Sequence, residues 1–115
     1  MTLDLLEVAK LAVHAAEDKK ATRPVILDIQ GLSVIADYFV IASGNSEKQV
    51  QAIADGVKES LQEAGVDVRG MEGYDQGRWV LIDVGDVVIH VFHREDRDFY
   101  DLERLWGDAR TVGVQ

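Results

Sequence analysis

A chain of 115 residues, of which 47% are hydrophobic, has the size and composition of one domain with a single core, which excludes a disordered chain. The absence of cysteine excludes disulfide bonds and thiolate metal sites and favours a cytoplasmic location, and no apolar run predicts a signal peptide or a membrane span. The formal net charge of −9 argues against direct nucleic-acid binding, because phosphate contacts need clustered Lys and Arg, but it is compatible with a basic protein partner.

The first third of the chain predicts one helix and two strands. Apolar residues recur at helical spacing over residues 2–20, and Thr2 or Asp4 is suited to cap the start of this helix. The unbroken aliphatic run at residues 25–29 predicts a strand that is buried on both faces. Residues 38–42 predict a second strand.

The middle of the chain predicts a helix with a marked start and end. Ser46 and Gln49 have the spacing of a capping box, and Gly65 ends the apolar stripe of the helix. The stripe consists of Val50, Ile53, Ala54, Val57, Leu61 and Ala64. Residues 66–69 then predict a short strand.

Residues 78–106 predict a β-hairpin, which turns at residues 84–86, followed by a short helix. Alternation places on one side of the hairpin an aliphatic set that is typical of a core: Val80, Ile82, Val87, Ile89 and Val91. The opposite side receives Trp79, Leu81, Asp83, Val88, His90 and Phe92. Because this second set mixes aromatic, charged and titratable side chains, which are costly to bury, we interpret it as a recognition surface.

The C-terminal segment predicts a last helix and a tail. Phe99, Leu102, Leu105 and Trp106 have helical spacing, Gly107 ends the helix, and the residues after Asp108 are expected to be frayed. The element order is therefore α-β-β-α-β-β-β-α. It predicts one α/β domain over residues 1–115, with a mixed sheet of about five strands flanked by helices.

Aromatic residues near the C-terminus divide into core and interface candidates. We expect Phe99 and Trp106 to be mostly core, and Trp79 and Tyr100, which lie among charged residues, to anchor an interface. Glu103 is predicted to meet a basic partner, or alternatively to pair with an arginine of its own chain such as Arg97. The complete predicted partner-binding set is Trp79, Leu81, Asp83, His90, Phe92, Tyr100, Asp101 and Glu103.

An enzymatic alternative depends on the turn between the second strand and the second helix. Residues 43–46 are suited to hold a phosphate, as in a nucleotidyltransferase, with Gly44, Ser46 and Asp67 as the candidate residues. Arg69 stands where a second metal-binding carboxylate is needed, so a capped turn without ligand is favoured.

Histidine spacing does not predict a metal site. His90 and His93 tend to opposite faces of a strand, so their side chains converge poorly on a metal. We interpret His90 as a hydrogen-bonding group of the recognition surface or as a structural histidine. No cofactor is expected.

Several short motifs occur together, in one order, within residues 25–106. They are residues 37–44 (DYFVIASG), Gln49-Val50, Glu72-Gly73, residues 79–83 (WVLID), Gly85-Asp86, His90-Val91-Phe92, Arg97, Tyr100, Leu102-Glu103 and Leu105-Trp106. In combination they resemble the ribosomal silencing factor family, also called the Iojap family.

The resemblance implies a nucleotidyltransferase-like fold without transferase activity. It further implies binding to the large ribosomal subunit through large-subunit protein fourteen, which blocks joining with the small subunit and lowers translation when nutrients are scarce. A large-subunit assembly factor is a second function that the resemblance allows, and it also allows a homodimer, for which an exposed strand edge would serve.

Overall fold

A mixed sheet of six strands lies at the centre of the computed structural model, which describes residues 3–113. The strands are β1 (Thr22–Asp28), β2 (Tyr38–Gly44), β3 (Gly70–Glu72), β4 (Trp79–Asp83), β5 (Val87–His93) and β6 (Arg110–Val112). Their order in the sheet is β3-β4-β5-β2-β1-β6. β2 and β5 run parallel, and all other neighbouring pairs run antiparallel. The predicted α/β fold with a mixed sheet is confirmed, with one strand more than expected, while the nucleotidyltransferase-like label stays a prediction.

Two long helices cover one face of the sheet. They are α1 (Leu5–Asp18) and α2 (Glu47–Glu63), which pack against each other and against the central strands. Two short helices follow the hairpin: α3 (Arg94–Tyr100) and α4 (Leu102–Leu105). In the part of the chain that the structure describes, no helix is long and apolar enough to cross a membrane.

The starts of the long helices follow the predicted capping chemistry with one difference. The Asp4 carboxylate accepts from the backbone N–H of Glu7 at 2.8 Å, and the Glu7 carboxylate accepts from that of Asp4, so Asp4 caps α1. The other candidate cap, Thr2, lies outside the described residues. In α2, Ser46 Oγ accepts from the N–H of Gln49 at 3.1 Å, but Gln49 Oε1 accepts from Asn45 instead of Ser46. The predicted capping box is thus only half formed.

The hairpin alternation divides the core into two layers, as predicted. We call the side under α1 and α2 the helix-covered face; its fully buried strand residues include Ile26, Val40, Val80, Ile82 and Ile89. We call the opposite side the aromatic face; its members include Phe39, Trp79, Leu81, His90 and Phe92. The predicted strand at residues 25–29 is confirmed as buried on both faces, because Ile26 joins the first layer and Leu27 the second.

The prediction of a strand at residues 66–69 is wrong. The N–H of Val66 donates to the carbonyl of Leu61 at 2.9 Å, so this residue closes the end of α2 instead of pairing with a strand. Val66 and Val68 pack against the helix-covered core, which explains their apolar pattern. β3 begins only at Gly70, although the N–H of Arg69 already donates to the carbonyl of Asp83 in β4 at 2.8 Å. Ala64, predicted to be core, caps the end of α2 and is exposed.

The C-terminal segment differs from its prediction in two respects. Residues 110–112, expected to be frayed, form β6 and pair with β1, and Arg110 adds an ion pair with Asp28 at 3.1 Å. The predicted single last helix is broken at Asp101, whose φ of 48° puts it in the left-handed region. A left-handed residue ends one helix and turns the chain, so α3 and α4 point in different directions.

Candidate partner-binding surface

The hairpin places the predicted recognition residues side by side on the aromatic face. β4 and β5 pair so that Trp79 lies opposite Phe92, Leu81 opposite His90 and Asp83 opposite Val88. Residues directly opposite each other in antiparallel strands project from the same face of the sheet. The structure therefore brings together all six residues that alternation assigned to this face.

Aromatic contacts connect the hairpin to the short helices. The rings of Trp79 and Phe92 lie 4.8 Å apart between centroids, and Tyr100 of α3 lies 4.8 Å from Trp79. On the other side, Phe39 packs edge-on against Trp106 at 5.5 Å and against His90 at 4.7 Å. We call Phe39, Trp79, His90, Phe92, Tyr100 and Trp106 the aromatic cluster. Its contacts hold α3 and α4 against this face of the sheet.

The cluster has buried and exposed members. His90 is 4% exposed and Phe92 1% exposed, so both lie beneath the surface and support the residues above them. Trp79 and Leu81 are half-buried, while Tyr100 is exposed. Of the predicted interface anchors, Tyr100 and Trp79 are therefore accessible to a partner.

His90 is a neutral, oriented imidazole. Trp79 Nε1 donates a hydrogen bond to His90 Nδ1 at 3.1 Å, and burial lowers the pKa of His90 to about 4. Because Nδ1 accepts this bond, the proton of the neutral ring lies on Nε2. Nε2 is itself shielded from water and has no hydrogen-bond partner among residues 3–113.

A groove of about 410 Å³ opens beside the cluster. Its apolar lining comes from Ile35, Phe39, Leu81 and Val88, together with His90. Arg69, Asp83 and Gly85 complete the lining and contribute one positive and one negative side chain. Asp83 is held in place because its carboxylate accepts from the N–H of Gly85 at 2.8 Å.

The two predicted acidic contacts of the last helix have internal roles in this structure. Glu103 accepts from Nε of Arg97 at 2.9 Å, and the Arg97 side chain is buried, with Nη1 donating to Ser43 Oγ and the carbonyl of Thr22. The alternative prediction, in which Glu103 pairs with Arg97, is therefore the one that the structure shows. Asp101 forms the break between α3 and α4, and its carbonyl accepts from the N–H of Arg104.

Several large apolar residues of the loop before β2 and of the short helices are exposed, and the sequence predicted only Tyr100 among them as an interface residue. The large hydrophobic residues that the structure shows as exposed are Leu32, Val34, Ile35, Phe99, Tyr100 and Leu105. All of them belong to the loop before β2 or to α3 and α4. Phe99 is 81% exposed, so the prediction that it is core is wrong, whereas Trp106 is half-buried as a core residue at the edge. In the sequence, three apolar residues within one loop, at positions 32, 34 and 35, could have indicated this exposed apolar surface.

The residues of the enzymatic alternative have structural contacts. A Cβ at Gly44 would lie 3.2 Å from the backbone nitrogen of Val50, which is tighter than an ordinary contact, so a larger residue there requires a small shift of α2. Ser46 caps α2, and Asp67 is exposed on the connection after α2. Within residues 3–113, no group of three metal-ligating side chains is placed to hold an ion.

Comparisons with known proteins agree with the architecture and the motifs. A family model described as "Ribosomal silencing factor during starvation" matches residues 2–115. The ribosomal silencing factor of Halalkalibacterium halodurans is 57% identical over 109 residues, which are 95% of this chain and 93% of that protein. The Bacillus subtilis factor is 54% identical over 102 residues, which are 89% of this chain and 86% of that protein.

A solved structure gives the same result for the fold. The crystal structure of a Chromobacterium violaceum protein matches with a TM-score of 0.89 at 45% identity, over 91% of this chain and 88% of the other. The chain therefore belongs to the ribosomal silencing factor family, whose members are regulators of translation and not enzymes.

Proposed function

We propose that this protein binds the large ribosomal subunit through large-subunit protein fourteen and thereby blocks joining with the small subunit. The proposed place of action is the cytoplasm, and the proposed condition is nutrient limitation. Family membership supports binding to the large subunit. The aromatic face supplies the surface that such binding needs.

The observation that carries the proposal is the distribution of exposed apolar residues. The large hydrophobic residues that the structure shows as exposed all lie in α3, in α4 or in the loop before β2. Among them, Tyr100 contacts the half-buried Trp79, and Ile35 lines the groove with Leu81. Contiguous exposed apolar surface marks interaction sites in proteins, and Trp and Tyr are the residues that most often dominate binding energy. The aromatic face is thus the best-supported docking surface.

Charge complements this apolar surface. Asp98, Asp101 and Arg104 line a shallow depression together with Phe99, Tyr100 and Leu105, and the whole chain carries a net charge of −9. The acidic net charge of the chain favours a basic partner, because opposite potentials speed and orient the encounter. A ribosomal protein at the subunit surface has suitable chemistry.

The proposed mechanism is steric and needs no reaction. A protein that occupies the surface where the small subunit must dock excludes the small subunit for as long as it stays bound. The repression is then set by the dissociation constant and by the concentration of the protein. Pairing of two copies through β3 or β6, the three-residue edge strands, remains a separate prediction.

Sucrose-gradient profiles of purified subunits test the proposal. Added protein should pellet with the large subunit and should reduce the fraction of joined ribosomes. A Tyr100→Ala variant should weaken both effects, whereas Glu59→Ala, a change on the exposed side of α2, should keep both. Unchanged joining at saturating protein would contradict silencing, and binding without reduced joining would favour the assembly-factor alternative.

A further inference from the structure

Trp79 is held both at its backbone and at its ring. The backbone packs against Gly73, where a Cβ would overlap the carbonyl oxygen of Trp79. Gly73 has a φ of 79°, in the left-handed region that glycine adopts without steric cost. The indole donates a hydrogen bond from Nε1 to Nδ1 of His90 at 3.1 Å. This bond restricts the rotation of the ring, which the packing of the backbone leaves open.

The pairing of β4 with β5 makes the bond possible. Trp79 lies opposite Phe92. His90, two positions before Phe92, is therefore its diagonal neighbour on the same face, within reach of a large side chain. The imidazole is itself fixed, because Phe39 contacts it edge-on at 4.7 Å and Phe92 lies parallel to it at 6.2 Å, measured between ring centroids. A donor bonded to an immobilised acceptor is restricted to one ring orientation.

A histidine at this buried position is costly to stability. The side chain is 4% exposed, and Nε2 has no hydrogen-bond partner within residues 3–113. Because Nδ1 accepts from Trp79, Nε2 carries the proton of the neutral ring and is an unpaired buried donor. An aliphatic residue would avoid this penalty. The imidazole, unlike an aliphatic side chain, supplies an acceptor for Trp79.

We propose that His90 is a positioning residue of the partner-binding surface, which holds the indole of Trp79 in the orientation that the protein partner contacts. This inference rests on the proposed function, in which the half-buried Trp79 is an anchor. His90 acts through Trp79, since the buried imidazole is itself out of reach of a partner. An indole that is ordered before binding loses less conformational entropy than a mobile one, so the hydrogen bond raises affinity without adding a contact.

Two variants of similar shape separate the acceptor from the packing. His90→Asn keeps an acceptor oxygen at the position of Nδ1, whereas His90→Leu fills nearly the same volume without one. In pelleting with purified large subunits, His90→Leu should weaken binding about three- to tenfold, and His90→Asn about twofold at most. Denaturant unfolding should show the opposite order, because burial of an amide costs more stability than burial of an aliphatic side chain. Equal affinities, or affinities that follow stability, would overturn the proposal.

A Trp79→Phe background shows whether His90 acts through the indole. Phenylalanine has no N–H, so in this background His90→Leu and His90→Asn should bind equally well. A difference in affinity that persists there would mean that His90 affects the partner by another route, which would contradict the inference.

NMR of the free protein tests the inference without the ribosome. In the wild type, a scalar coupling across the hydrogen bond should connect Nε1 of Trp79 with Nδ1 of His90, and ¹⁵N relaxation should show an ordered indole. Trp79→Phe identifies the signal, since Trp106 is the other tryptophan of the chain. The order should be kept in His90→Asn and reduced in His90→Leu.

The NMR outcomes are distinct from failure of the proposed function. A wild-type indole without the coupling would overturn the inference even if neither variant folds, and so would an indole that is equally ordered in both folded variants. Failure of the wild-type protein to pellet with large subunits would defeat the proposed function alone.

Discussion

The two faces of the sheet carry similar numbers of large side chains but are covered in different ways. α1 and α2 bury Val80, Ile82 and their neighbours completely, and the contacts are aliphatic. The aromatic face is covered by a loop, by α3 and by the single turn of α4, which leave Trp79 and Leu81 half-exposed. One side of these strands is therefore packed for stability, and the opposite side is the one that we propose for recognition.

Neighbouring residues of β4 allow the sharpest test of this comparison. Ile82 is fully buried under the helices, so Ile82→Ala should cost about 2–5 kcal/mol of unfolding free energy through lost burial and the cavity it leaves. Leu81→Ala, one position earlier on the opposite face, should cost less stability but more affinity. Denaturant unfolding and pelleting with large subunits measure the two quantities. Equal stability losses in the two variants would contradict the proposed difference between the helix-covered face and the aromatic face.

A second prediction concerns what holds the short helices to the aromatic face. Glu103→Gln leaves Arg97 as a buried cation without its carboxylate and should cost about 3 kcal/mol of stability. Affinity should fall in parallel, because α3 and Tyr100 lose their support. Glu103→Arg should behave similarly in both measurements.

The outcome for Glu103 decides between two roles. A selective affinity loss in Glu103→Arg, with the melting temperature unchanged, would mean that Glu103 contacts the partner directly. Glu17→Gln is the matched control, because its contact with His14 is exposed on both sides, lies on α1 away from the aromatic cluster and should contribute little.

Stability at acidic pH tests the burial of His90. Its folded pKa of about 4 lies below the usual 6.5, so the unfolded chain binds more protons between these values. The contribution of neutral His90 to the free energy of unfolding is fully present above pH 6.5 and is lost as pH falls to 4. The total loss is about 3 kcal/mol. His90→Gln should lack this part of the slope, since the carboxylates shared by both proteins cancel in the difference. Identical slopes in wild type and variant would contradict the assignment.

Much of the fold was predictable because periodicity reports which side of an element faces the core. In the hairpin, period-two alternation separated Ile82 from Leu81 correctly, and in α2 the period of 3.6 identified the stripe from Val50 to Leu61. These assignments needed no knowledge of distant contacts. The same alternation also grouped the residues of the candidate surface.

Other features depend on tertiary contacts that periodicity does not report. β3 and β6 have three residues each, too few for an alternation pattern to emerge. The break at Asp101 lies between Arg97 and Glu103, whose ion pair connects the two short helices across it. Burial of His90 and exposure of Phe99 follow from the same arrangement. The sequence therefore grouped the candidate residues on one face without showing which of them reach the surface.

Tyr100 provides a test of the aromatic face with less effect on the fold. The exposed ring packs against Trp79, so Tyr100→Ala should lose about 2 kcal/mol of binding free energy while unfolding changes little. Tyr100→Phe is the matched control and should bind nearly as wild type, because it keeps the ring contact. If Tyr100→Ala binds normally while folded, the partner uses a different surface.

The smallest expected effect is on the helix-covered side. Ser46 Oγ accepts from the N–H of Gln49, so Ser46→Ala should cost about 1 kcal/mol of stability by leaving that donor unpaired. Ser46→Asp keeps an acceptor at the start of α2 and should retain the stability. Both variants should pellet with large subunits as wild type does, because α2 packs on the face opposite the aromatic cluster. An affinity loss in a fully folded Ser46→Ala would show that the start of α2 also contacts the partner, and nucleotide turnover abolished by Asp67→Asn would restore the enzymatic alternative.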